Sequence, residues 1–177
     1  MLIRQACEAD IAAITAIFNH EVEHSAAIWV ERPTTVADRS AWLADRQAQD
    51  FPVLVAEADG VVVGFGSYGP FRPYEGFRNT VEHLVYVSPS ARGRGVGRRL
   101  LAALIDDARQ RGKKTIVGAV DSENQPSLAL HRSFGFVETG RMADIGEKWG
   151  ARRTMVLLQR DLSIGHEEGA AHRRTAE

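Results

Sequence analysis

A single α/β domain built around a mostly antiparallel sheet is the fold this sequence predicts, and three observations carry that prediction. The chain has 177 residues, 44% of them hydrophobic and 25% charged, which suits one soluble unit with a sizeable core. Runs rich in β-branched residues alternate with stretches of helical periodicity. Two of the strand-like runs are joined by Asp59-Gly60, a hairpin signal that argues against a regular βαβ repeat.

The elements follow in order. "LIRQA" reads as a short strand. Asp10 stands where a helix N-cap belongs, because Ile11, Ile14, Phe18 and Val22 recur at helical spacing behind it. A second helix is expected from Thr35, with Asp38 three residues on in a capping-box arrangement and Trp42 turned inward. "FPVLVAEADGVVVGFGSYG" supplies the hairpin, and "PFRPYEGFRNT" is a loop too polar for the core. "VEHLVYV" is a strand ended by Ser88-Pro89. "ARGRGVGRRLLAAL" passes from a glycine-rich turn into a helix that starts near Val96 and stops at Gly112. "KTIVGAV" is a strand, "PSLALHRSF" a short helix with Pro126 near its first turn, and "FVETGRM" and "RRTMVLLQRDL" the last two strands. Residues 1–162 make the domain. From 163 to 177 apolar periodicity is lost, and a disordered tail is expected.

Bulk properties exclude several classes of function. A formal net charge of -1 argues against a nucleic-acid coat. No apolar run reaches membrane-spanning length, and the first residues lack a secretory apolar stretch. The single cysteine, Cys7, rules out an internal disulfide framework and a multi-cysteine zinc site. A cytoplasmic setting follows, with Cys7 expected to pack as a small apolar residue. The six histidines are scattered and suggest no metal site.

The glycine stretch carries the chemistry. Glycines allow positive φ and close approach, so successive N–H groups can converge on an anion. The start of the following helix adds its dipole and unpaired N–H groups, while Arg92, Arg94, Arg98 and Arg99 supply charge. The loop lacks the Gly-Lys-Ser/Thr ending of a Walker A motif, and its phase is not G-x-G-x-x-G. From these residues alone, a pyrophosphate cradle and a plain strand-to-helix turn weigh about equally.

The surroundings decide between them. A strand, then Arg92-x-x-Gly95-x-Gly97, then a helix resembles the acyl-CoA signature of the GNAT superfamily of N-acetyltransferases, and "SENQPSLALHRSFGF" resembles its second motif. The likeness covers residues 2 to 162. Within the superfamily, "TVEHLVYV", the aromatic-arginine loop at 70 to 78 and "GEKWGARRTMVLLQRDL" resemble the phosphinothricin and methionine sulfoximine N-acetyltransferases.

The resemblance implies roles for particular residues. Arg92, Gly93, Arg94, Gly95, Val96, Gly97 and Arg98 would hold the pyrophosphate of acetyl-CoA. The backbone of Val85, Tyr86 and Val87 would pair with its pantetheine arm as an added strand, with an N–H near Val87 polarising the thioester oxygen. Asn124 would help to hold the arm. Glu82 is the expected general base. His131 occupies the position where many members carry a tyrosine that protonates the leaving thiolate; it is either that acid or a packed helix histidine. His83 alternates to the opposite strand face and reads as pocket wall or structural, with Leu84 beside it. Arg72 and Arg78 would bind an α-carboxylate in a loop shared with Pro73 and Tyr74. Trp29 either covers the substrate or packs in the core, and Lys148 and Trp149 stand on the far side.

The expected activity is therefore direct transfer from acetyl-CoA to the α-amine of a small amino-acid analogue: methionine sulfoximine, methionine sulfone or phosphinothricin. No metal, nucleic acid or membrane is expected to take part, and the subfamily implies a homodimer. Another amine acceptor, such as a protein N-terminus, a polyamine or an aminoglycoside, is the alternative, and a non-catalytic acyl-CoA sensor is a second.

Overall fold

Seven strands of the described residues form one sheet: β1 (Leu2–Gln5), β2 (Val53–Ala58), β3 (Val61–Pro70), β4 (Thr80–Val87), β5 (Thr115–Asp121), β6 (Val137–Lys148) and β7 (Ala151–Asp161). They lie in the order β1-β2-β3-β4-β5-β7-β6, and every neighbouring pair is antiparallel except β4–β5. The structure, a computed structural model, describes residues 1–163; the expected tail, apart from Ser163, lies outside them. The α-helices of the described residues are α1 (Ile11–His24), α2 (Val36–Ala48), α3 (Val96–Gln110) and α4 (Gln125–Ser133), with short 3-10 turns at Glu8–Asp10, Glu75–Phe77 and Pro89–Ala91.

The helices divide the core between the two sheet faces. On one face, Leu100, Leu101, Leu104, Ile105 and Ala108 of α3 pack with Tyr68, Ile116 and Leu158. Each leucine so buried contributes about 1.5–3 kcal/mol. On the other, Ile11, Ile14, Val22 and Leu43 of α1 and α2 pack with Val55 and Phe65. Alternation along β4 therefore matters: Val85 and Val87 join the first cluster, Leu84 and Tyr86 the second.

Local signals account for several boundaries. Thr35 Oγ1 accepts from Asp38 N (3.1 Å) and Asp38 Oδ2 accepts from Thr35 N (3.0 Å), the reciprocal capping expected for α2. Asp59 and Gly60 have φ of 52° and 77°, as a two-residue hairpin turn requires.

Three expectations are corrected. Asp10 precedes α1, but its side chain does not cap that helix. Its carboxylate accepts from Cys7 N (2.9 Å) and from Arg4 on β1 (2.7 and 2.8 Å), closing a tight turn, and the Arg4 guanidinium holds it down to about 2. Cys7 is exposed instead of packed, with Sγ 3.4 Å from Asp10 Oδ2. Finally, β6 continues well past "FVETGRM" to Lys148. Its second half is polar, irregular in register between Met142 and Gly146, and lies at the sheet edge, so it carries no hydrophobic alternation. It ends in a two-residue turn at Trp149 and Gly150, with φ of 53° and 72°.

Candidate active site

The site begins where the sheet's one parallel pairing stops. β4 and β5 pair at Thr80↔Thr115, Val81↔Ile116 and Glu82↔Val117, and no further. Beyond Glu82, β4 stays paired to β3 as far as Gly64↔Val87, and β5 stays paired to β7 as far as Asp121↔Met155. The two strands thus part while each is held on its outer side. The cleft between them measures about 830 Å³ and is lined by His83 to Val87, Gly118 to Asp121, the glycine loop, α4 and the segment Ser25–Ala27.

The glycine loop closes one end. Gly93 and Gly95 adopt φ of 73° and 79°, a left-handed backbone that favours glycine. Arg99 N to Gly95 O (3.1 Å) is the first bond of α3, which leaves the N–H groups of Val96, Gly97 and Arg98 for an anion at the positive end of the helix. The arginines are less uniform than their clustering suggests. Arg92 forms an ion pair with the buried carboxylate of Glu21 on α1, tying the loop to that helix. Arg98 donates to Ser133 Oγ (3.2 Å) and lies 5.0 Å from the Phe134 ring centroid. Arg94 is exposed. Asn124 caps α4, its Oδ1 accepting from Ser127 N (3.2 Å), so its amide nitrogen is the remaining donor toward the cleft it lines.

These residues fit acetyl-CoA. A helix N-terminus preceded by left-handed glycines suits a pyrophosphate, and the open edge of β4 from His83 to Val87 offers backbone groups to an amide-bearing arm. Among the described residues no group of three His, Cys, Asp or Glu is arranged to hold a metal ion.

Glu82 sits at the apex, in the last pair before the strands part. Burial raises its pKa above the ordinary carboxylate value, and the Arg72 guanidinium acts in the opposite direction. Its cross-strand neighbour on β3 is Gly69. Above Gly69 lies the guanidinium of Arg46 from α2, whose Nη1 occupies the place a Cβ would take. Arg39, seven residues earlier on the same helix face, lies 3.9 Å from the Phe18 ring centroid. The Nε atoms of both arginines are buried without a partner. Sequence reading overlooked this pair; the i, i+7 spacing across an inward Trp42 was the available signal. Tyr86, four residues along β4 from Glu82, packs edge-on to Phe18 (5.9 Å). Burial raises its pKa, with Glu21 adding to the effect and Arg39 opposing it.

His83 faces away from Glu82, toward α4. Its Nε2 is 3.1 Å from His131 Nε2, and His131 Nδ1 is 2.7 Å from Ser127 O. Trp29 is held in place: Nε1 donates to Asp121 Oδ2 (3.0 Å), and the ring occupies the space above Gly146 of β6. Arg153 Nε also donates to Asp121 Oδ2 (2.7 Å). Lys148 is 1% exposed and donates to Ser25 O (2.5 Å), Ile28 O (2.6 Å) and Glu21 O (3.4 Å), clamping the segment after α1 that lines the cleft. Trp149 is exposed, its backbone N donating to Glu31 Oε1 (2.6 Å).

The arginine loop stands apart from the cleft. Arg72, Arg78 and Phe77 line a separate hollow of about 400 Å³ beside Pro70 and Val81. Pro73 is exposed, and Tyr74 is 70% exposed. Of the residues expected to bind substrate, the structure therefore groups Glu82 with Arg72 electrostatically, and His83 and Leu84 with the cleft. It leaves Trp29, Pro73, Tyr74 and Arg78 outside that group, and neither Glu82 nor Arg72 is among the residues lining the cleft.

Comparison with known proteins agrees with this architecture. The model of the Acetyltransferase (GNAT) family matches residues 14–136. An L-methionine sulfoximine/L-methionine sulfone acetyltransferase of Salmonella typhimurium is 48% identical over 162 residues, 92% of this chain and 95% of the relative. A solved acetyltransferase of Salmonella typhimurium with its cofactor acetyl-CoA superposes with a TM-score of 0.90 at 48% identity, covering 92% of this chain and 94% of that one. A ribosomal-protein-alanine N-acetyltransferase of Brucella melitensis gives the same TM-score, 0.90, at 47% identity over 91% and 99% of the two chains. With a family model spanning most of the fold and near full-length relatives at almost half identity, the chain belongs to the GNAT acetyltransferase family.

Proposed function

We propose that this enzyme acetylates the α-amine of a small amino-acid analogue, with methionine sulfoximine, methionine sulfone and phosphinothricin as its acceptors. One observation carries the proposal: Glu82, in the last β4–β5 pair before the cleft opens, is a carboxylate with its pKa raised by burial and a cation, Arg72, within electrostatic reach. The carboxylate suits an ammonium that must lose a proton, and the guanidinium suits the α-carboxylate of the same molecule. The 48% identity to a methionine sulfoximine/sulfone acetyltransferase supports the choice of acceptor.

Each part of the chain then has a task. The N–H groups of Val96, Gly97 and Arg98 bind the pyrophosphate of acetyl-CoA, while the open edge of β4 orients the acyl arm. An N–H near Val87 polarises the thioester oxygen. Acetyl-CoA supplies an acyl group activated by its thiol leaving group. Glu82 takes the amine's proton directly or through water; the C–N bond forms as the C–S bond breaks, and the departing sulfur is protonated.

A protein N-terminal alanine is the second reading, favoured by the 47% identity to the Brucella melitensis protein. Thiol release from acetyl-CoA decides the matter in a panel run with methionine sulfoximine, methionine sulfone, phosphinothricin, an alanine-terminated peptide and a polyamine. Turnover with the three analogues and little with the others is expected. Preference for the peptide establishes the second reading, and tight cofactor binding without any turnover establishes a sensor. We also propose a cytoplasmic homodimer in which a second copy covers the exposed Tyr74 and Phe77; sedimentation equilibrium measures the mass.

A further inference from the structure

Where the β4–β5 ladder stops, the next residues on the two strands are His83 and Gly118. Into that first gap a third residue reaches from α4. His131 Nε2 lies 3.1 Å from His83 Nε2, with ring planes 25° apart and centroids 5.0 Å apart. Nitrogens that close at that centroid distance meet through their leading edges, as a hydrogen bond between imidazoles requires. Gly118 makes the room. A Cβ there would lie 2.7 Å from His131 Nε2 and 3.1 Å from His83 Nε2, so any side chain at 118 would displace the pair.

The protons of this pair can be assigned from its partners. Ser127 O, 2.7 Å from His131 Nδ1, is a carbonyl and only accepts, so His131 Nδ1 carries a proton. Burial lowers the pKa of both rings, that of His83 to about 3, and keeps them neutral. A neutral His131 then presents a bare Nε2, and the 3.1 Å contact needs His83 Nε2–H as its donor. His83 Nδ1 is left with a lone pair and is buried without a partner. Each ring has one proton, and each proton is already committed: that of His131 to Ser127, that of His83 to His131. Neither nitrogen of His131 has a proton to give a leaving sulfur.

The pair is well placed to do something else. β4 is fixed by β3 and β5 by β7 on their outer sides, so the width of the cleft is set by what stands between them. His131, 5% exposed, is backed by Phe136 at 5.1 Å, and Phe136 also meets His83 at 5.6 Å. We propose that His131, seated on Gly118 and hydrogen-bonded to His83, is a neutral wedge that sets the opening between β4 and β5, making all three positioning residues for the acyl arm and leaving His131 without an acid role. The proposal rests on acetyl-CoA occupying this cleft.

The experiment compares wild type, Gly118→Ala and His131→Gln. Imidazole nitrogen NMR of the wild type is expected to show His131 as the Nδ1–H tautomer and His83 as the Nε2–H tautomer, both neutral through mildly acidic pH. Calorimetry with coenzyme A is expected to show Gly118→Ala weakened by about tenfold or more, the size of effect that follows when an added methyl forces packed neighbours aside. His131→Gln, which cannot ionise and fills the gap less closely, is expected to weaken coenzyme A binding as well, with the basic limb of the pH profile unmoved. A loss of kcat of ~10² or more in His131→Gln with unchanged coenzyme A affinity would restore the acid role and overturn the wedge. So would a histidine of the pair titrating near neutrality, or Gly118→Ala binding coenzyme A as wild type does. Calorimetry and NMR need no acceptor amine, so an error in the proposed acceptor would leave this test intact, and the wild-type spectra decide even where a variant fails to fold.

Discussion

Replacing Lys148 by methionine isolates one buried ammonium whose bonds can be counted. The side chain is 1% exposed and reaches Ser25 O at 2.5 Å and Ile28 O at 2.6 Å, with Glu21 O farther off at 3.4 Å. Glu21 O keeps Ser25 N (3.1 Å) as a donor in the variant, so two carbonyls carry the loss. Charge-assisted bonds contribute about 1.5–3 kcal/mol each, or roughly 3–6 kcal/mol together. Burial lowers the Lys148 pKa, the sign that desolvation offsets part of this gain, and methionine keeps much of the stem's packing. The expected net loss is about 2–4 kcal/mol, equivalent to a fall in Tm of roughly 5–15 °C for a domain of this size. Urea unfolding measures the loss. Because Lys148 holds Ser25–Ala27 at the cleft wall, weaker coenzyme A binding should accompany it in calorimetry. A loss below about 1 kcal/mol with unchanged coenzyme A affinity would refute the reasoning, showing that the segment after α1 holds its shape without the ammonium.

Three further outcomes are expected. Glu82→Gln should lower kcat by ~10²–10⁴ while calorimetry finds coenzyme A affinity unchanged; retained activity at neutral pH would exclude Glu82 as the base. The acid limb of the wild-type kcat/KM profile should fall above the ordinary carboxylate pKa, because burial raises that of Glu82. Arg72→Gln, by removing the opposing cation, should move the limb to still higher pH; a limb moving down would place Arg72 elsewhere in the mechanism. Acidification should destabilise the fold through His83. Its folded pKa, about 3, lies below the unfolded value of 6.5, so the unfolded chain binds the extra proton and stability falls as pH drops through that window. The slope from one such group is about 1.4 kcal/mol per pH unit. His83→Gln should flatten the stability profile by that amount, and an unchanged slope in urea unfolding would contradict the burial.

The parts of this molecule that were legible in sequence are those whose cause is local. The Thr35–Asp38 box closes within four residues, the Asp59-Gly60 turn within two, and α3 starts at Val96 behind Gly95 as its glycines and apolar spacing imply. Alternation was enough to put Glu82 and His83 on opposite faces of β4. It could not supply their partners. His131 meets His83 across 48 residues, Arg92 meets Glu21 across 71 and Trp29 meets Asp121 across 92, and each contact exists only because the sheet order brings those elements together. The second half of β6 was illegible for a different reason: an edge strand of irregular register buries too little to leave a pattern.

The apex of the cleft shows what that difference means for the chemistry. β4 presents three independent surfaces within a few residues: Glu82 toward α1 and α2, His83 toward α4, and, from His83 onward, a backbone edge not paired to β5. A strand's two-residue period keeps the first two from touching, so the carboxylate keeps its raised pKa while the imidazole stays neutral one residue away. The third surface exists only while β5 is held off. Substitution at 82 is therefore expected to alter the proton step and leave cofactor affinity alone, and substitution at 118, on the opposite strand, to do the reverse. If the two variants had the same kinetic signature, the division of labour along β4 would be wrong, however sound the fold.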